Sequence, residues 1–188
     1  MQAFKGSEAP LEQIYRWPDA EIGDSSPPYV YEVTAEKIIE YCHAARYENL
    51  AYTSQPAARA AGLPGIIAPP AMVFTYAPLQ LTGLAAARGR KLPDGLTRFI
   101  QAACPASASI GFQGAMVVPG DAISSVTSVQ DKFQQKEDRL ATIRVVAHNQ
   151  RGDLVADYSL TCRWPPDPQK VFAPASPTTG PTLSNKFL

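Results

Sequence analysis

Tyr47 and Tyr52 stand five residues apart just ahead of a turn rich in small residues, with Asn49 between them. Phenols ionise near pH ~10, so at neutral pH they donate hydrogen bonds and are poor bases. Asn49 carries an amide that suits either a turn or a contact with a carbonyl group. His43 and His148 are the chain's two histidines, and any imidazole acid–base chemistry must use one of them. His43 lies at the margin of an amphipathic stretch. His148 closes an alternating stretch on the face opposite Ile143, Val145 and Ala147. Both read as surface residues. Cys42, Cys104 and Cys162 are far apart in apolar or amphipathic segments and read as buried thiols. No CxxC or Cys/His spacing suggests zinc, so neither a metal nor a cofactor is expected. Lys132, Lys136 and Arg139 flank a polar loop, where a phosphate contact competes with plain solvation. Asp121 follows Pro119-Gly120 and reads as a turn residue.

A chain of 188 residues, 45% hydrophobic and 18% charged, can bury the core of one domain. Lys+Arg and Asp+Glu both total 17, for a formal net charge of 0, and no basic cluster marks a nucleic-acid surface. Low net charge favours self-association or a partner subunit. Residues 66–84 match a membrane span in length, but Pro69, Pro70, Pro78, Gln80 and Gly83 interrupt them. A buried core helix is the expectation. The N-terminal residues lack an apolar signal core, so a cytoplasmic protein is expected, with no membrane partner.

Residues 1–28 read as an irregular lead-in ending in Ser25-Ser26-Pro27-Pro28. Tyr29-Val30-Tyr31-Glu32-Val33 predicts a short first strand. Thr34 is placed to cap a helix over 35–46, with Glu36 in its first turn and Ile38, Ile39, Cys42 and Ala45 on one side. Residues 56–61 predict a helical turn ended by Gly62. Pro70 can open a helix, and residues 71–88 are apolar nearly all round. Pro78 inside that run predicts a kink or break between residues 74 and 78.

The second half switches to period two over 110–118, 122–133, 140–148 and 154–164, with turns at 118–121 and 149–153 and a polar loop at 134–138. In the last strand Leu154, Ala156, Tyr158, Leu160 and Cys162 share one face, against Asp157, Ser159, Thr161 and Arg163. From 165 to 188 the chain is rich in proline and reads as a tail, leaving 29–164 as one domain. One strand, helices, then antiparallel strands is an α+β order.

Four stretches, in order, resemble the MaoC-like family of (R)-specific enoyl-thioester hydratases and 3-hydroxyacyl-thioester dehydratases. They are Tyr29-Val30-Tyr31-Glu32-Val33-Thr34, Ala58-Arg59-Ala60-Ala61-Gly62-Leu63-Pro64-Gly65, Pro119-Gly120-Asp121 and Asn149-Gln150-Arg151-Gly152-Asp153. The resemblance spans about residues 10–164 and implies a hot-dog fold, a curled antiparallel sheet wrapped around a long, Pro-kinked central helix. It also implies an Asp and, five residues on, a His. Those positions here hold Tyr47 and Tyr52. In that family a backbone N–H at the start of the central helix helps hold the thioester oxygen. The aligned Pro70 has none. Water addition to an enoyl thioester needs a base, an acid and oxyanion donors. By resemblance, this chain has no catalytic residue of its own.

Ala68-Pro69-Pro70 is similar to the non-catalytic subunits and N-terminal halves of such enzymes. That implies a role in shaping an acyl channel for a catalytic second hot-dog subunit. The ligand implied is an acyl-CoA or acyl-carrier-protein thioester. Asn49, Tyr52, Pro69, Pro70, Met72, Phe74 and Tyr76 are the candidate substrate-binding residues. Two alternatives stand beside this: a homodimer that binds an acyl thioester or small ligand without catalysis, and a divergent hydratase that uses Tyr52 or His43.

Overall fold

Strand β1 (Tyr29–Glu32) runs into helix α1 (Ala35–Ala44) through Thr34, whose hydroxyl accepts the Lys37 backbone N–H at 3.3 Å. That bond satisfies one of the free donors of the first helical turn. A computed structural model of the chain describes residues 14–92, 107–112 and 115–164. Helix α1 buries Ile38 and Cys42. It stops two residues short of the expected Arg46, which adopts φ 55° and cannot continue a right-handed helix. Helix α2 (Gln55–Ala60) ends as expected at Gly62, with φ 79°.

Strands β2 (Ser107–Gly111), β3 (Ala122–Gln135), β4 (Asp138–His148) and β5 (Leu154–Trp164) join β1 in one antiparallel sheet of order β1-β3-β4-β5-β2. Alternation sorts the residues by face. Ile123, Ser125, Thr127 and Val129, then Ala141, Ile143, Val145 and Ala147, then Ala156, Tyr158 and Cys162 are buried. The loop expected at 134–138 is tighter than its polarity suggests, because Lys136 turns the chain at φ 56°.

The strand expected over 110–118 is shifted toward the N-terminus: β2 occupies Ser107–Gly111, sharing only 110–111 with that range, and residues 115–118 are outside the ladder. The Val117 carbonyl accepts the Ala68 N–H at 2.8 Å instead. Glycine weakens a strand and proline cannot donate to it, so Gly111 and Pro119 bracket a run that alternates in sequence, of which Val117 docks on the turn ahead of the central helix. Cys104 and the proline-rich tail lie outside the described residues.

One face of the sheet is covered by the central helix, which is in two pieces. A 3-10 turn at Pro70–Met72 leads into α3 (Val73–Tyr76), and α4 (Leu81–Ala87) follows. The break at Ala77–Gln80 falls where Pro78 predicts one. Proline has no N–H for the Phe74 carbonyl, and its ring crowds the preceding turn. Two backbone groups freed by the break are both met from the sheet. The Tyr158 hydroxyl donates to the Ala77 carbonyl at 2.7 Å, and the Gln80 N–H donates to Thr127 Oγ1 at 3.0 Å. This is the hot-dog arrangement, with the helix broken rather than gently kinked.

The described part of the lead-in extends the sheet beside β3. Gly23 N–H donates to the Val129 carbonyl, Val129 N–H to Asp24, and Ser26 N–H to Thr127, each at 2.8 Å. Arg88 at the end of α4 pairs with Asp24 and with Glu21. The lead-in is thereby held so close to α4 that a Cβ on Gly83 would stand 2.9 Å from the Ser26 Cβ. Overpacking of this kind costs about 1–3 kcal/mol. The helix-propensity gain of Gly→Ala is about 1 kcal/mol. Gly83→Ala should therefore unfold at lower urea than the parent chain. A midpoint equal to or above the parent's would mean that the lead-in yields instead.

Candidate functional site

Asn49 opens the short 3-10 turn Leu50–Tyr52 by accepting the Ala51 N–H on its Oδ1 at 3.0 Å. That turn brings Tyr52 edge-on to Tyr47, with ring centroids 5.6 Å apart and an interplanar angle of 76°. Tyr41 on α1 completes the row, 6.3 Å from Tyr47. All three rings are half-buried against the core. Burial, then the neighbouring Tyr47 and Cys42, push the Tyr41 hydroxyl above its ordinary range. The two positions that resemblance assigns to an Asp and a His thus hold phenols in an edge-to-face pair, a geometry that rewards packing.

The turn that follows is fixed by Gln55. Its Oε1 accepts the Ile66 N–H at 2.7 Å, and its amide lies within 2.9 Å of where a Cβ on Gly65 would be. A Cβ at position 65 would push the Gln55 amide off its bond to Ile66. Pro69 is buried and Pro70 is exposed. Met72 and Tyr76 face the core at 0% and 2% exposure, while Phe74 between them is 48% exposed. Burial pushes the Tyr76 hydroxyl up to about 12.

Phe74 does not stand free. Its ring meets Tyr158 edge-to-face at 5.4 Å, and Ile110 of β2 lies opposite Tyr158 in the ladder. Ile110, Phe112 and Met116 are each 40–48% exposed. Among the described residues, β2 and β1 are the two edges of the sheet, and in β2 Ser107, Ala108, Ser109 and Ile110 are all exposed. An uncovered edge beside apolar side chains is a template for another chain.

Tyr158 and Thr127, which fix the helix break, were not singled out by sequence reasoning. The available signal was a hydroxyl on the buried face of an alternating strand, since such groups need a partner.

Of the remaining charged candidates, Lys132 and Asp121 are bonded elsewhere. Lys132 Nζ donates to the Ala20 carbonyl at 2.6 Å and lies 4.4 Å above the Trp17 ring, which Arg139 also approaches at 5.8 Å. Trp17 in turn donates its indole N–H to the Leu140 carbonyl at 3.1 Å. Lys136 is in the β3–β4 turn. Asp121 is buried and bonded within the turn–hairpin junction. His43 and His148 are both exposed, one on α1 and one at the end of β4.

On the outer face, a polar groove of about 390 Å³ is lined by Ser109, Gly111, Gln130, Arg144, Asp157 and Ser159. Arg144 and Asp157 fill each other's bonding in two contacts of 2.8 and 2.5 Å, and the guanidinium holds the Asp157 carboxyl below its usual range. Among the described residues no group of three or more His, Cys, Asp and Glu side chains could hold a metal ion. None of the helices there is long and apolar enough to cross a membrane.

The sequence matches the family model of the FAS1-like, dehydratase domain region over residues 20–158. A UPF0336 protein of Streptomyces coelicolor is 49% identical over 55 residues, which span 29% of this chain and 37% of that protein. Among solved structures, a chain of the ChsH1-ChsH2 complex from Mycobacterium tuberculosis superposes with a TM-score of 0.57 at 22% identity, covering 74% of this chain and 88% of that one. A chain of the C-terminally truncated HadBC (3R-hydroxyacyl-ACP dehydratase) complex from the same organism superposes at 0.55 and 19% identity, covering 76% and 96%.

Proposed function

The chain belongs to the FAS1-like dehydratase region family, and on that premise we propose that it is the non-catalytic hot-dog subunit of an (R)-enoyl-CoA hydratase or 3-hydroxyacyl-thioester dehydratase. Its part is to wall an acyl channel for a second hot-dog chain that supplies the Asp and the His. The observation that carries this reading is the Tyr47–Tyr52 pair: two phenols closed on each other at 5.6 Å, where the chemistry needs a base and an acid. Pro70 supports it, because it brings no N–H to the start of the central helix. The β2 edge, which has no strand beyond it among the described residues and has Ile110, Phe112 and Met116 exposed beside it, supports a partner strand and a shared apolar channel. The solved complexes that resemble this chain each carry two differently named components, as ChsH1-ChsH2 and HadBC.

The ligand on this reading is an acyl-CoA or acyl-carrier-protein thioester. Loss of one oxyanion donor costs ~10²–10³-fold in turnover, and loss of general acid–base help a further ~10²–10⁴-fold. The purified chain alone should therefore show no turnover of crotonyl-CoA above background. Co-expression with a separately encoded hot-dog chain that carries the Asp and the His should yield a stable complex and restore activity. Hydration by the homomer at ordinary enzyme rates, ~1–10³ s⁻¹, would sink the reading. If that turnover vanished in Tyr52→Phe, Tyr52 would be the catalytic residue. The same β2 edge also favours pairing with a second copy, so tight acyl-CoA binding by a catalytically silent homodimer is the competing outcome.

A further inference from the structure

We propose that Phe74 sets the length of acyl chain that the assembled site accepts. This rests on the acyl-thioester reading above and names one specificity-determining residue within it.

Of the side chains around the helix break, Met72, Val73 and Tyr76 are buried at 0–2% exposure, and Phe74 alone of that turn is 48% exposed. One side of its ring is backed by Tyr158 at 5.4 Å. Tyr158 is itself 1% exposed and pinned by its 2.7 Å bond to the Ala77 carbonyl. Helix α3 ends two residues after Phe74, at Tyr76, and Pro78 prevents it from winding onward. The ring can neither sink into the core nor be carried along a continuous helix. The backing residue, Tyr158, is also the ladder partner of the exposed Ile110. A hydrocarbon chain lying along Ile110 would end against a fixed aromatic wall. Each buried methylene contributes about fourfold in affinity, so a wall at a defined depth converts chain length into specificity.

The test is calorimetric binding of butanoyl-, octanoyl- and dodecanoyl-CoA to the chain in complex with its hot-dog partner, for the parent, Phe74→Ala and Phe74→Trp. Affinity in the parent should rise with length and then stop rising. Phe74→Ala should raise the dodecanoyl-to-octanoyl affinity ratio by about tenfold or more, and Phe74→Trp should lower the octanoyl-to-butanoyl ratio. The two changes in opposite directions cannot come from a general loss of folding. If all three proteins bind acyl-CoA with the same length profile, Phe74 is not the limit and the subunit reading survives. If none of them binds any acyl-CoA, the subunit reading and the proposal fall together.

Discussion

Asp121→Ala should lower the unfolding free energy by about 2–4 kcal/mol, the largest single-site loss expected outside the hydrophobic core. The Asp121 carboxylate is 2% exposed and collects three donors. The Val118 N–H reaches Oδ2 at 3.0 Å, while the Gln150 amide and an Arg151 guanidinium N–H each reach Oδ1 at 3.2 Å. Its backbone is equally committed, accepting the Val33 N–H at 2.8 Å while the Gly120 N–H reaches the Val33 carbonyl at 2.9 Å. Three remote pieces of chain, the end of β1, the Pro119-Gly120-Asp121 turn and the β4–β5 hairpin, therefore meet on one residue.

Alanine would leave the part-buried Val118 N–H without its acceptor, which costs more than a lost surface contact. Arg151 is 54% exposed, so water recovers much of its bonding and Arg151→Ala should cost much less than Asp121→Ala. Asp121→Asn should fall between the two, because an amide keeps one acceptor but turns a donor toward another donor. Urea titration of the three variants checks the order. Asp121→Ala within about 0.5 kcal/mol of the parent, the range of ordinary surface substitutions, would mean that the Pro-Gly-Asp turn is held by its backbone alone.

What the sequence made legible was short-range. Helix α1 follows from apolar spacing and the Thr34 cap. The break follows from Pro78, and the two faces of β5 follow from alternation between Ala156 and Cys162. Each depends on residues within a few positions of one another. At the start of β5 a bulge opposite Ala147 and His148 buries Val155 and sets Leu154 beside the exposed His148, against the alternation expected there. The misplaced strand shows the limit. Residues 110–118 alternate, but period two does not say whether the partner is a ladder strand or the Ala68 turn, about 50 residues away.

The site divides in the same way. That Tyr47 and Tyr52 fall where the resemblance implies an Asp and a His could be counted from the turn. That they pack against each other could not, because it depends on how the Asn49 cap folds the intervening chain. Lys132 is charged, polar-flanked and near a turn, the features of a free cation. Only the fold brings Trp17 and the Ala20 carbonyl beneath it, 115 and 112 positions earlier in the chain.

Removing one hydroxyl from the core should show how the helix break is held. Tyr158→Phe keeps the ring against Phe74 and deletes only the donor to the Ala77 carbonyl, which leaves a buried acceptor unsatisfied at a cost of about 1–3 kcal/mol. Burial, then the neighbouring Tyr76, keep the Tyr158 phenol protonated well above its ordinary range, so the loss should not vary with pH across the neutral region. Thr127→Val is the matching change at the other end. It conserves shape and strands the Gln80 N–H, again at about 1–3 kcal/mol. Faster hydrogen exchange at Gln80 should accompany it.

Pro78 decides whether these costs can be evaded. With proline in place the helix cannot close across the gap, so neither stranded group finds a partner within it. In a Pro78→Ala background the continuous helix becomes available, and both groups could turn to intrahelical partners. The cost of Tyr158→Phe should shrink there, a non-additivity that a double-mutant cycle reads directly. Equal costs in both backgrounds would show that the break is imposed by the sheet through Tyr158 and Thr127, with Pro78 merely tolerated at a site already broken.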